Sequence, residues 1–182
     1  MADEGDILQN LDTDAAANGP TPAAPNGADN GPAVSLITQY VKDLSVENPN
    51  APTVYQWNDQ PQVDLQFNIG ANQVNDEVHE VELKATLTAT CEKGQLYLVE
   101  VVYAGLFGIR NVPDEQKHAF LFAEAPRLLF PFLRAIVSDA VRDLGFPPFL
   151  MEPMDFAALY QQQLAARAQQ QGQGAPAPMG EA

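Results

Sequence analysis

Several things are scarce in this chain of 182 residues, and each scarcity removes a class of function. There is one cysteine, Cys91, so no disulfide can close within the chain. One Cys and two His leave little from which to build a metal site. Such cysteine usage fits a reducing, cytoplasmic setting. Basic residues are few, nine Lys and Arg against 24 Asp and Glu, for a formal net charge of −15. Nucleic acid and anionic membrane surfaces both call for a basic footprint, so neither is an expected partner. No apolar run approaches the roughly 20 residues that cross a bilayer, so direct membrane insertion is not expected. The opening Met1-Ala2-Asp3-Glu4-Gly5-Asp6 has neither a basic stretch nor a long apolar core, and is expected not to be a secretory signal. Glycine-rich phosphate loops and the G-x-S-x-G elbow do not occur, and no cofactor is expected.

What is present divides the chain into three. Residues 1–33 hold six acids and no base, amid Ala, Asn, Gly and Pro. They read as a disordered acidic extension, because they cannot bury enough apolar surface to offset chain entropy. Residues 34–163 carry the fold. Residues 164–182, rich in Gln, Ala, Gly and Pro, read as a flexible tail whose first part can continue a helix. Of the net charge, −6 belongs to the extension and −9 to the folded segment.

The folded segment opens in period two. Leu36, Thr38, Tyr40, Lys42, Leu44 and Val46 alternate with Ile37, Gln39, Val41, Asp43, Ser45 and Glu47, which predicts a strand. Val63, Leu65, Phe67 and Ile69 mark a second strand. Val81, Leu83, Ala85, Leu87, Ala89 and Cys91 mark a third, before a turn at Glu92-Lys93-Gly94-Gln95. A fourth runs from Leu96 to Phe107 and is apolar on both faces, with Glu100 its only charge. The period then becomes helical at Leu129, Leu133, Ile136, Val137, Ala140, Val141 and Leu144. Gly145, Pro147 and Pro148 stop that helix. Asp155 is placed to cap a shorter one bearing Phe156, Leu159, Tyr160 and Leu164. The expected fold is α+β: a four-stranded antiparallel sheet followed by two main helices.

Residues with catalytic potential stand alone. His79, placed on the polar face of the third strand, and His118 read as solvated or capping residues. Cys91 reads as a buried, inert thiol. Asp76, Glu77, Glu80 and Glu82 lack the glycine and spacing of a calcium loop. No metal site and no enzyme activity are expected.

Two features call for a function. Two helices can cover one face of the sheet, so the other face of the fourth strand is expected to meet a second copy, or else to be bound by something else; burial within the chain is the competing reading. On the first strand, Asp43 and Glu47 are four residues apart and share a face, about 13 Å apart at ~3.3 Å per residue. They could dock a basic partner, or be a solvated strand face.

The segment Tyr40-Val41-Lys42-Asp43-Leu44-Ser45-Val46-Glu47-Asn48-Pro49-Asn50-Ala51-Pro52 resembles the opening strand of the SecB family of export chaperones. The likeness continues through Val78–Leu83, Leu98–Val101, Ala104–Phe107, Ala125–Pro131, Gly145–Phe149 and Pro153–Tyr160, and covers residues 34–163. It implies a homotetramer, a dimer of dimers, without catalytic activity. It implies ATP-independent holding of unfolded preproteins in the cytosol and delivery to the SecA motor. In the family pattern Asp43, Glu47, Leu98 and Glu100 dock SecA, while Val99, Val101 and Tyr103 affect tetramer assembly and are placed at the tetramer interface. The client groove falls to Trp57, Val63, Leu65, Phe67, Phe156 and Tyr160. The chain departs from the pattern at Asp59-Gln60-Pro61, where the family often has Trp; here Trp57 lies slightly earlier. The alternative function is an oligomeric adaptor or a general anti-aggregation chaperone for a non-export client.

Overall fold

The computed structural model describes residues 31–172. The extension expected over 1–33 lies outside the described residues up to position 30, and the expected tail lies outside them beyond position 172. Four strands form one antiparallel sheet: β1 (Ala33–Glu47), β2 (Gln62–Gln73), β3 (Val78–Cys91) and β4 (Gly94–Arg110), in the order β1-β4-β3-β2. After them come α1 (Asp114–Ala119), a π-helical segment (Phe120–Glu124), α2 (Ala125–Asp143) and α3 (Phe156–Gly172). Strands followed by helices are the expected α+β order.

The strand with the strictest alternation takes a central place. Val81, Leu83, Ala85, Leu87 and Ala89 of β3 are all 0% exposed. Burying a Val or Leu side chain contributes about 1.5–3 kcal/mol, so this row fixes the register of β3. α2 lies across β3 and β4 and supplies Leu129, Leu133, Val137 and Val141 to the same core. It passes close over Gly105, where an added Cβ would stand 2.9 Å from Leu129 Cδ2. Glycine is therefore needed to let the helix down onto the sheet.

The helix ends follow from local chemistry. Gly145 has φ +83°, its N–H donates to the Arg142 carbonyl at 2.9 Å, and the Phe146 N–H donates to the Val141 carbonyl at 3.3 Å. These bonds satisfy the last carbonyls of α2. At the start of α3 the Asp155 carboxylate accepts the Ala158 N–H at 2.9 Å, the cap the sequence predicts. α3 runs on past the boundary expected at residue 163, because Gln and Ala are good helix formers.

In β1 the simple alternation fails in the middle. Register shifts fall between Leu36 and Thr38 and between Val41 and Asp43. Paired residues of an antiparallel ladder share a face. Pairing with β4 therefore puts Val34, Leu36, Gln39, Val41, Leu44 and Val46 on the helix side of the sheet. Tyr40, Asp43, Ser45 and Glu47 go to the outer side. The two shifts cancel, so only Thr38 to Lys42 are out of phase with the predicted pattern.

Three assignments change. Val99, Val101 and Tyr103 were placed at a tetramer interface by the resemblance; they lie beneath α2, at 0%, 0% and 7% exposure. Side chains with so little surface cannot touch a second copy directly, so they are core residues. The open side of β4 carries Leu98, Glu100, Val102 and Leu106 instead, all half-buried. His79 is not on the polar face. It pairs with Phe107 and Gln73, sits on the core side at 6% exposure, and its Nδ1 has no hydrogen-bond partner. Burial, helped by the nearby Lys117 charge, pushes its pKa down. Cys91 is only half-buried.

Candidate functional site

On the helix side, beyond the core, a cavity of about 520 Å³ opens between β2 and α3. Its floor is aromatic. The Phe67 ring lies 6.1 Å from Phe130, and Phe130 lies 5.5 Å from Phe156. Ile69, Phe122, Met154 and Leu159 complete the apolar wall, and Asn68, Gln163 and Arg167 form a polar edge. The alternation of β2 explains why Phe67 and Ile69 point here, since both pair with core-side residues of β3, Ala85 and Leu83. Phe156 and Leu159 come from the first turn of α3, held in place by the Asp155 cap.

Only Phe67 and Phe156 of the six expected groove residues meet in this cavity. Val63 and Leu65 lie further along the same face of β2, opposite Ala89 and Leu87, and Val63 is exposed. Trp57 sits at the β3–β4 turn, where a Cβ on Gly94 would meet its ring at 3.6 Å. That turn follows Cys91, six residues from the partner of Phe67, or roughly 20 Å along the strand. Tyr160 faces a separate depression between α1 and α3, shared with Phe120 and Ala123. Its hydroxyl is 2.8 Å from His118 Nδ1, and the His118 ring stacks on Phe122 at 4.6 Å. His118 is thus a packed residue tying α1 to α3, not the solvated or capping one expected. Ile69 was legible from the period of β2. Phe122 was not, because a π-helical segment has no α-helical spacing.

Around the apolar Leu98, Val102 and Leu106 of β4, the outer face of the sheet is largely polar. Asp43 pairs with Val102, Ser45 with Glu100 and Glu47 with Leu98. The four expected docking residues Asp43, Glu47, Leu98 and Glu100 therefore stand on one face of two adjacent strands. Their chemistry differs. Lys84 is 3.2 Å from the Glu100 carboxylate, and Thr86 donates to it at 3.2 Å. The Lys84 bond, then the Thr86 bond, holds the Glu100 carboxyl below the usual carboxylate range. Glu80 and Glu82 are both held by Lys42, and Glu80 also accepts the Tyr40 hydroxyl. These bonds, that of Lys42 first, keep Glu80 ionised to lower pH. Among the described residues Asp43 and Glu47 have no such partner. Also among the described residues, no group of His, Cys, Asp and Glu is placed to hold a metal, and no helix is long and apolar enough to cross a membrane.

A third surface is apolar. Val34, Leu36, Val41, Leu44 and Val46 of edge strand β1 are 39–47% exposed on the helix side. Leu128 and Phe132 of α2 are exposed as well.

The family model described as preprotein translocase subunit SecB matches residues 27–167. The chain belongs to the SecB family. Among curated SecB relatives, the chain is 59% identical over 184 residues to the protein-export protein SecB of Erythrobacter litoralis, covering 100% of both chains. It is 54% identical over 182 residues, again with 100% of both covered, to that of Novosphingobium aromaticivorans. Among solved structures it resembles a Mycobacterium tuberculosis SecB-like chaperone in complex with a ChAD peptide from the HigA1 antitoxin. The TM-score is 0.55 at 17% identity, covering 66% of this chain and 90% of that one, and this likeness speaks for the fold. Like its SecB relatives, the chain is a chaperone of protein export.

Proposed function

We propose that the chain is an ATP-independent holdase. It binds unfolded preproteins in the cytosol, keeps them competent for translocation and delivers them to SecA. The observation that carries this reading is the aromatic-floored cavity between β2 and α3. Such a surface recognises apolar side chains that a folded protein hides. Selectivity for the unfolded state then arises by mass action, without nucleotide. Several weak apolar sites along β2, from Val63 to Phe67, give a long client additional avidity.

Docking of SecA is assigned to the outer face, at Asp43, Glu47, Leu98 and Glu100. The two unpartnered carboxylates are free to meet basic groups, and that contact weakens with salt. Assembly as a dimer of dimers is supported by the exposed apolar row of β1 and its neighbours Leu128 and Phe132 on α2. Exposed apolar surface of this extent on a lone protomer favours contact with a second copy. Val99, Val101 and Tyr103 would then act on assembly through the core that shapes β4.

Light scattering with a reduced, unfolded preprotein tests the reading. A tetramer that binds the unfolded client and not the folded one supports it; a stable monomer, or equal binding of both forms, overturns it. The double variant Asp43→Lys with Glu47→Lys is expected to retain client binding and to lose SecA binding at least tenfold, on the order of several unscreened charge contacts. If both affinities fell together, the docking assignment would fail. Suppression of aggregation of an unrelated unfolded protein, without ATP, separates a holdase from an adaptor for one folded partner.

A further inference from the structure

Two lysines neighbour Asp43 on the outer face of the sheet. Lys84 stands across Val102, which pairs with Asp43 on one side and Lys84 on the other. Lys42 directly precedes Asp43, and the second register shift of β1 falls between Val41 and Asp43. Lys42 is the extra residue of that bulge. Its ammonium meets Glu80 and Glu82 on the outer face, the face that Asp43 also takes. Neither lysine turns to Asp43. Lys84 is held by Glu100, and Lys42 Nζ lies 2.7 Å from Glu80 Oε2 and 2.5 Å from Glu82 Oε1.

The two bonds of Lys42 draw it across β4 to β3. Ala104 of β4, which faces outward between Tyr40 and Glu82, is 0% exposed beneath this crossing. Both carboxylates are fixed from a second side, Glu80 by the Tyr40 hydroxyl and Glu82 by the Asn72 amide at 3.4 Å. The bond to Glu80, then that to Glu82, pushes the Lys42 pKa up, so its charge persists and always seeks a carboxylate. Residues 1–30 and 173–182 contain no Lys, Arg or His. A side-chain cation competing for Asp43 therefore has to come from the folded segment, and Lys42 is the direct neighbour. Resting on the assignment of Asp43 to SecA docking, we propose that Glu80 and Glu82 are positioning residues for that site: they hold Lys42 away from Asp43 and keep its carboxylate open to a basic partner. Neither needs to touch the partner. Without them the Lys42 ammonium, on its flexible four-carbon stem, turns to the adjacent Asp43, and a partner has to displace it before docking.

A double-mutant cycle on the full chain, read as affinity for purified SecA, tests this. Asp43→Asn alone is expected to weaken binding; if it does not, the docking reading itself falls. Glu80→Gln together with Glu82→Gln is expected to lower the affinity about two- to fivefold, the range of an exposed ion pair. Adding Lys42→Met to that pair is expected to recover most of the loss. In the otherwise unaltered protein Lys42→Met is expected to change the affinity by less than about twofold, because there the ammonium is already committed. A gain from Lys42→Met of the same size in both backgrounds would mean that the charges act additively from a distance, and overturns the proposal. So does an undiminished affinity in Glu80→Gln with Glu82→Gln. A matching loss of binding to an unfolded client overturns it too, since that would report a disturbed fold and not a masked carboxylate.

Discussion

The two faces of the one sheet are built on opposite rules. On the helix side Val81, Leu83, Ala85, Leu87, Val99 and Val101 have no exposed surface, and among the described residues His79 is the one buried side chain that is neither apolar nor a tyrosine. On the outer side, Lys42, Glu80, Glu82, Lys84 and Glu100 form ion pairs across strands. One face therefore supplies stability and the other supplies charge, on strands whose successive residues alternate between them. The outer face is not uniformly acidic. At its centre Lys42 and Lys84 offset two of the three carboxylates of Glu80, Glu82 and Glu100, while among the described residues Asp43 and Glu47, towards the β1 edge, have no partner. A basic partner docking as proposed would meet free charge there without first displacing a lysine.

The strongest test of the division compares neighbours on β4. Val101→Asp buries a carboxylate under α2 and is expected to destabilise by on the order of 4–5 kcal/mol, enough to leave little folded protein. Val102→Asp, one residue on and facing outward, is expected to keep a native circular-dichroism spectrum. Equal outcomes for the two would break the comparison.

A smaller effect belongs to His79. Burial lowers its folded-state pKa, so the unfolded chain takes up a proton first as pH falls below its ordinary value of about 6.5. The stability that the neutral ring allows is present above that value and is lost as pH falls towards the depressed folded pKa. Melting temperature is expected to drop as pH falls below about 6.5, and His79→Leu is expected to flatten that drop. A drop of the same size in the variant would show that other groups cause it. The smallest effect is expected from Lys84→Ala on the outer face. Exposed ion pairs contribute little, so its melting curve should overlay that of the unaltered protein. A clear loss would mean that the outer face also carries stability.

Where the pattern of the sequence is set by burial, it reads directly. β3 alternates strictly because one of its faces is wholly buried, and Gly145 and Asp155 mark helix ends through their own backbone and side-chain bonds. Periodicity likewise put Phe67 and Phe156 on regular apolar faces, while their place in a groove was implied by the family resemblance. The departures come from features without a period. Two bulges invert Thr38 to Lys42. Trp57 follows a 3₁₀ turn at Thr53–Gln56, and that turn carries it towards the β3–β4 end of the sheet. His79 occupies an apolar position that its chemistry disguises.

The paired bulges of β1 also bear on how this strand can vary by insertion and deletion. Each adds one residue, and each reverses which side chains face outward; together they restore the original phase before Asp43. Losing one bulge alone would turn half of the strand inside out, exchanging Leu44 and Val46 with Asp43, Ser45 and Glu47, or the corresponding residues at the other end. Losing both would leave the two ends facing as they do now. The strand thus behaves like a reading frame with two compensating shifts, where a single change in length is costly and a second one suppresses it.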